Sequence, residues 1–288
     1  MSTLMSTDKK RVCLRGFFIG FLALTSAVKA TELGPKPLTP ANDRPRITYV
    51  ANAGVMISFA GKKVLIDAHH YRGNPLYERP ARQTLDKMVS GLKPFERINL
   101  ILATHLHGDH FDAATVGKHL LYSPVTTFLA ADQMTSAVQK EFSDSAKIKK
   151  QIKTVTPAWK AFSEVNVAGI EVKVLGMKHG SKKYEHIQNM GYIIKIGKYK
   201  FLHLGDAEPA VENIESFNLA NEGIDFAFLP YWFLIYDSFD PVVTQHINAG
   251  QIIAIHIPPQ ELQEVARKVH NKYPGAIIFT RPFESMAF

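Results

Sequence analysis

Three histidines and an aspartate fall within six positions of the chain, in Thr104-His105-Leu106-His107-Gly108-Asp109-His110. Neutral imidazole and carboxylate are donors that suit zinc or a similar borderline divalent ion. With 12 His and 12 Asp among 288 residues, chance would give His-x-His-x-Asp-His in roughly one chain in a thousand, so the spacing points to a metal site rather than a solvated loop. Ligands need a rigid platform. The apolar run over residues 98–103 reads as a buried strand, and Asp112 is placed to N-cap a helix over residues 113–121. The cluster then occupies a loop leaving the carboxyl end of a core strand, a usual place for chemistry on a fixed scaffold.

Four more polar residues hold the same kind of position. Asp67 follows the apolar run 64–66, His179 follows 172–176, Asp206 follows 201–205 and His256 follows 252–255. One such residue is an ordinary strand end. Four of them, all ligands or ligand-orienters by type, read with the histidine loop as one site on a common edge of the sheets.

The elements that must position these residues follow from patterning. Strands are expected over 47–50, 55–59 and 64–66, with a turn at Gly61-Lys62, then a helix over 81–92. After the histidine loop come a strand over 125–129, a helix over 131–142 and a basic stretch, 147–153, read as solvated surface. Residues 161–177 alternate weakly. Residues 191–196 and 199–204 form a hairpin about Gly197-Lys198. A helix over 211–219, strands over 226–229 and 252–255, a helix from Pro258-Pro259 to about Lys272 and a strand over 276–279 complete the pattern. Strands in meanders, followed by strands alternating with helices, fit an α+β sandwich of two sheets flanked by helices.

The ordered set Asp67, His105/His107/Asp109/His110, His179, Asp206 and His256 resembles the metallo-β-lactamase superfamily over essentially all of residues 46–288. Asn189-Met190-Gly191-Tyr192 and His203-Leu204-Gly205-Asp206 look closest to a branch with the L-ascorbate-6-phosphate lactonase and N-acylphosphatidylethanolamine phospholipase D types. The resemblance implies a single-domain, four-layer αββα sandwich holding two divalent ions, zinc first, with Mn2+ or Fe2+ as alternatives. It implies that His105, His107 and His179 hold one ion, that Asp109, His110 and His256 hold the other, and that Asp206 bridges them. Asp67 would orient a ligand histidine from behind, as metal-bound imidazoles usually require. Asp109 and Asp206 are the expected catalytic carboxylates, with a metal-bridging hydroxide as nucleophile. His69, His186, Asn189 and Tyr231 are candidate substrate contacts, and Trp232 is a possible stacking surface beside them.

The amino terminus adds a location. Lys9-Lys10-Arg11 and Arg15 precede an apolar run over residues 16–28 and an Ala-Val-Lys-Ala sequence ending at Ala30. That is the layout of a secretory signal peptide over residues 1–30, followed by a proline-rich extended lead over 31–45. The run is short of the ~18 residues that suggest a membrane span. An uncleaved anchor is the alternative. Cys13, the single cysteine, lies before the run, so a chain beginning at Thr31 has none for disulfides or for metal. The whole chain carries a formal charge of +8; without residues 1–30 it holds 29 Lys+Arg against 25 Asp+Glu. That balance tolerates a small anionic substrate and does not argue for nucleic acid.

These observations favour an exported binuclear hydrolase acting on an ester-type bond, a lactone or a phosphodiester. Asp206 at the bridging position argues against a true β-lactamase. The alternatives are an iron-dependent oxidoreductase, disfavoured because His107 stands where diiron relatives carry glutamate, and a metal-binding protein without turnover.

Overall fold

The computed structural model describes residues 44–288, so the expected leader over 1–30 and the expected lead as far as residue 43 lie outside the described residues. Strands β1 (Arg46–Ala51), β2 (Gly54–Phe59) and β3 (Lys62–Ile66) form an antiparallel meander. Strands β4 (Leu100–Leu102), β5 (Thr127–Ala130) and β6 (Ile152–Thr154) extend it in parallel. A second meander, β7 (Phe162–Val167), β8 (Ile170–Met177), β9 (Asn189–Ile196) and β10 (Tyr199–His203), is likewise extended in parallel by β11 (Phe226–Pro230), β12 (Gln251–Ile255) and β13 (Ile277–Ile278). Near the end of the chain β14 (Ser285–Ala287) pairs with the outer edge of β1, which gives two seven-stranded sheets among the described residues.

Strand alternation explains how the layers stack, because successive side chains leave opposite faces of a strand. In the second sheet Tyr192, Ile194, Phe201, Phe226, Phe228 and Ile253 join the apolar body shared with the first sheet. Their neighbours Ile193, Leu202, Ala227, Leu229 and Ala254 instead pack with Ile214, Phe233, Val242, Val265 and Val269 on the outer side. Met88, Val116, Leu120, Met134 and Val138, from the helices Arg82–Val89, Ala113–Tyr122 and Asp132–Glu141, cover the first sheet. The result is the αββα arrangement expected of the sequence.

Several elements differ from the expectation. The weak alternation over 161–177 is the hairpin β7–β8, turned at Ala168-Gly169 with φ of 52° and 79°. An alanine in the left-handed region gives no turn signal in sequence. The basic stretch 147–153 runs into the edge strand β6, and the expected helix over 211–219 is a single turn, Val211–Ile214, followed by tighter turns. The expected strand 276–279 shortens to β13, and β14 has no apolar pattern because its three residues are exposed. Among the described residues no helix is long and apolar enough to cross a membrane.

Candidate metal centre

Parallel pairing brings the expected residues to one edge. β3 and β4 run together, so Asp67 and the histidine loop leave the first sheet side by side. β8, β10 and β12 share one direction through their pairings, so His179, Asp206 and His256 leave the second sheet at its corresponding end. Local backbone fixes each exit. Asp112 caps the helix after the loop, its Oδ1 accepting from Thr115 N at 2.8 Å. Asp67 and His256 adopt φ of 47° and 62°, a left-handed conformation uncommon outside glycine that turns the chain sharply at the strand end. Gly205 has φ of 57°, and a Cβ there would meet Thr104 Cβ and Asn189 Oδ1 at 2.6 Å. Only glycine lets the chain pass so close before Asp206.

Two groups of donor atoms result: His105, His107, His179 and Asp206 in one, Asp109, His110 and His256 in the other. In the first, His105 Nε2 lies 2.9 Å from His107 Nδ1, and Asp206 Oδ2 lies 3.7 Å from His179 Nε2 and 3.8 Å from His105 Nε2. In the second, His110 Nε2 and His256 Nε2 are 2.9 Å apart, and Asp109 Oδ2 is 3.5 Å from His256 Nε2. Asp206 also reaches the second group, with Oδ1 3.3 Å from His110 Nε2 and Oδ2 3.4 Å from His256 Nε2. Donors held at ~2.0–2.1 Å around a tetrahedral ion stand roughly 3.4 Å from one another, so these separations suit shared cations. His179 supplies an independent test. Both of its ring nitrogens are buried without a hydrogen-bond partner, a costly state that a metal bond would relieve at one of them.

A layer behind the donors holds them. Asp67, fully buried, accepts from Thr104 N at 2.7 Å and from Thr104 Oγ1 at 2.6 Å, and its Oδ2 faces His110 Nδ1 at 2.8 Å. Asn189 Oδ1 accepts from Asp206 N at 3.1 Å, and its Nδ2 donates to Leu204 O. Tyr192 Oη donates to Ala103 O at 2.7 Å. His203, a packed strand residue, lies with Nε2 3.0 Å from Ala53 O and accepts from Gly205 N through Nδ1.

The electrostatics ask for positive charge. Burial alone would raise the Asp206 carboxyl, but the facing His256 and His110 imidazoles hold it well below the ordinary carboxylate range. Burial would lower His110, yet Asp206 and Asp67 hold its imidazole well above the usual value. His105 is pushed far down by burial and by neighbouring His110, and His179 to about 4, chiefly by burial. Burial likewise lowers the His107 imidazole, whereas at His256 the facing Asp206 and Asp109 outweigh burial and raise it; imidazoles set against buried carboxylates make a donor set suited to a cation.

The candidate substrate contacts separate. His69 is corrected by the structure: it is 2% exposed, with Nε2 3.1 Å from His119 Nδ1, and packs beneath the loop instead of lining its mouth. Asn189 is fully buried as a support for Asp206, not a pocket wall. His186 is exposed and lines a groove of about 890 Å3 that begins at His179. Tyr231 is partly buried and packs at 5.6 Å against Trp232, whose own ring lies 5.1 Å from His256. Sequence reasoning missed Tyr77 and Tyr184. Tyr77 stands edge-on to His256 at 4.1 Å, and Tyr184 covers His107 at 4.5 Å and His179 at 4.9 Å. Tyr77 sits in a loop and Tyr184 ends a single 3-10 turn, Lys182–Tyr184, and neither setting has a period that marks an inward-facing ring.

The model of the beta-lactamase superfamily domain matches residues 62–273. The chain belongs to the beta-lactamase superfamily. Among similar proteins, a UPF0173 metal-dependent hydrolase of Pyrococcus furiosus is 27% identical over 190 residues, covering 64% of this chain and 71% of that protein. Among solved structures, Igni18, a metallo hydrolase from Ignicoccus hospitalis, superposes with a TM-score of 0.59 at 18% identity, over 85% of this chain and 98% of that one. The metallo-β-lactamase fold protein YhfI of Bacillus subtilis gives 0.55 at 13% identity, over 85% and 100%. These likenesses show that the superfamily member described here has the metallo-β-lactamase fold.

Proposed function

We propose that the chain is a metal-dependent hydrolase that holds two divalent ions, zinc by its imidazole and carboxylate donors, and cleaves an ester-type bond, a lactone or a phosphodiester. The observation that carries this reading is the convergence of His105, His107, His179, Asp109, His110 and His256 in two groups, with Asp206 within 4 Å of both. Bound divalent ions supply Lewis acidity and bring the pKa of water down toward ~7, which makes hydroxide available at neutral pH. Asp206 keeps the two groups in register. Asp109, with one face toward His256, is placed to orient an attacking water and to take its proton. Asp67 holds His110 in the orientation that turns Nε2 toward the site. No serine or cysteine nucleophile is required.

The substrate enters through a recess of about 220 Å3 lined by His179, Gly180, Ser181, Asp206 and Trp232. His179 and Ser181 also border the larger groove, where Lys178 and Lys182 offer cations to an anionic group and Trp159 and Ile187 offer apolar surface. A volume of this order suits a small or medium-sized molecule. The ester-type specificity rests on the local resemblance around Asn189–Tyr192 and His203–Asp206. Metal analysis of the purified protein should give close to two equivalents, and panels of phosphodiesters, lactones and β-lactams should show turnover in one of the first two. Chelation should abolish that turnover and zinc should restore it. One tightly held iron without hydrolysis would contradict the reading.

The protein acts outside the cytoplasm, periplasmic or secreted, as the basic and apolar pattern of residues 1–30 supports. The intact mass from an envelope or culture fraction should correspond to a chain beginning at Thr31. A membrane-bound form retaining residues 1–30 would indicate the uncleaved anchor, and a soluble cytoplasmic form retaining them would overturn export.

A further inference from the structure

Asn52 lies in the turn between β1 and β2, fully buried, with φ of 52°. It touches two of the three donors in the second group. Its main-chain carbonyl accepts from His256 N at 3.2 Å. Its side-chain Nδ2 donates to Asp109 O at 3.2 Å and reaches Asp109 Oδ2 at 3.4 Å. The amide nitrogen is therefore committed, and Asn52 Oδ1 needs a donor. Oδ1 is buried, and no protein group hydrogen-bonds it.

His256 has the complementary need. With Nε2 turned toward Asp109 and Asp206, a ligand imidazole carries its proton on Nδ1 and must find a carboxylate, a carbonyl or a water for it. His110 has Asp67 for this purpose, at 2.8 Å. His256 Nδ1 is buried, and no protein acceptor meets it. Both residues line the same cavity of about 40 Å3, together with Tyr49, Glu78, Phe279 and Thr280. Roughly 10–15 Å3 of such space holds one water, which then needs two to four polar partners.

We infer that Asn52 is a positioning residue for the second donor group, holding Asp109 directly and His256 through one buried water, an inference that rests on the metal-binding reading above. The water accepts from His256 Nδ1–H and donates to Asn52 Oδ1, and its second hydrogen is directed to the Glu78 carboxylate. That gives it the three hydrogen bonds usual for buried water. One side chain thus fixes the spacing between a carboxylate donor and an imidazole donor that come from different sheets. His110 is oriented by a charged partner and His256 by a neutral one, so the two imidazoles of one group are tuned differently.

The test is a titration of the full-length chain and of Asn52→Gly with Zn2+ and with Co2+. Glycine removes the amide yet accepts the left-handed backbone, so the turn itself is preserved. The wild type should load two equivalents. The variant should load one with unchanged affinity and the other about 10–100-fold more weakly, the usual scale for losing an outer partner of a ligand. Its Co2+ absorption should lose the contribution of one site only. Asn52→Asp, which keeps the shape but sets a carboxylate against Asp109, should give the same one-site loss. Two equivalents bound at wild-type affinity by Asn52→Gly would overturn the inference, as would equal weakening of both sites. In a crystal structure of the metal-loaded wild type, an ordered solvent peak about 3 Å from both His256 Nδ1 and Asn52 Oδ1 is expected. A dry cavity would overturn the water bridge. A wild type that binds no metal would instead overturn the reading beneath it.

Discussion

Asp206→Asn should lower the hydrolysis rate by at least roughly 100-fold while leaving the fold intact, the scale seen when catalytic groups lose their alignment. The argument starts from what surrounds the carboxylate. Its two oxygens lie between 3.3 and 3.8 Å from ring nitrogens of His110, His256, His179 and His105. It thereby reaches histidines of both donor groups. Asparagine keeps the volume, and Asn189 still accepts from the main-chain nitrogen, so the strand end should not move. What disappears is a negative charge and one of two acceptor oxygens, replaced by an amide that presents hydrogens to the donors. The check combines kcat/KM, metal content and thermal melting of the variant. Wild-type turnover with both metals in place would return Asp206 to the role of a buried strand-end carboxylate.

Asp67→Ala should cost the fold about 3–5 kcal/mol, because it strands buried donors that have no access to water. Thr104 N, Thr104 Oγ1 and the His110 ring all lose their acceptor at once. For a domain of this size the melting temperature should fall by on the order of 10 °C. Metal affinity should fall about 10–100-fold as His110 loses its orientation. Asp67→Asn separates the two effects. It tolerates the left-handed backbone at this position better than alanine and keeps the shape, so its thermal loss should be smaller while the His110 contact is still impaired. Differential scanning calorimetry with and without zinc reads both quantities. A melting temperature within a degree of wild type for Asp67→Ala would show that the buried contacts around Thr104 are dispensable.

The residues that form the two donor groups were legible because each ends an apolar run. Strand patterning marks where a core strand stops, and a ligand-type residue at that stop is visible without knowing which strands are neighbours. His105, His107, Asp109 and His110 add a local spacing. Fold class and donor identity therefore come from short-range pattern. Tertiary structure alone decided the rest. The pairing of Asn52 with Asp109 spans 57 positions, and that of His110 with His256 spans 146. No local period encodes such contacts. Tyr77 reaches the donors from an irregular loop and Tyr184 from a single 3-10 turn, and the hairpin β7–β8 turns on an alanine whose left-handed backbone is imposed by strand pairing and not by residue type. His69 follows Asp67 by two positions and by sequence belongs at the mouth of the site. The chain reverses at Asp67 with φ of 47°, and His69 lies against His119 under the helix that Asp112 caps. A sequence shows which side chains stand at strand ends; the backbone angle at each exit decides whether the next ones face the site or the core.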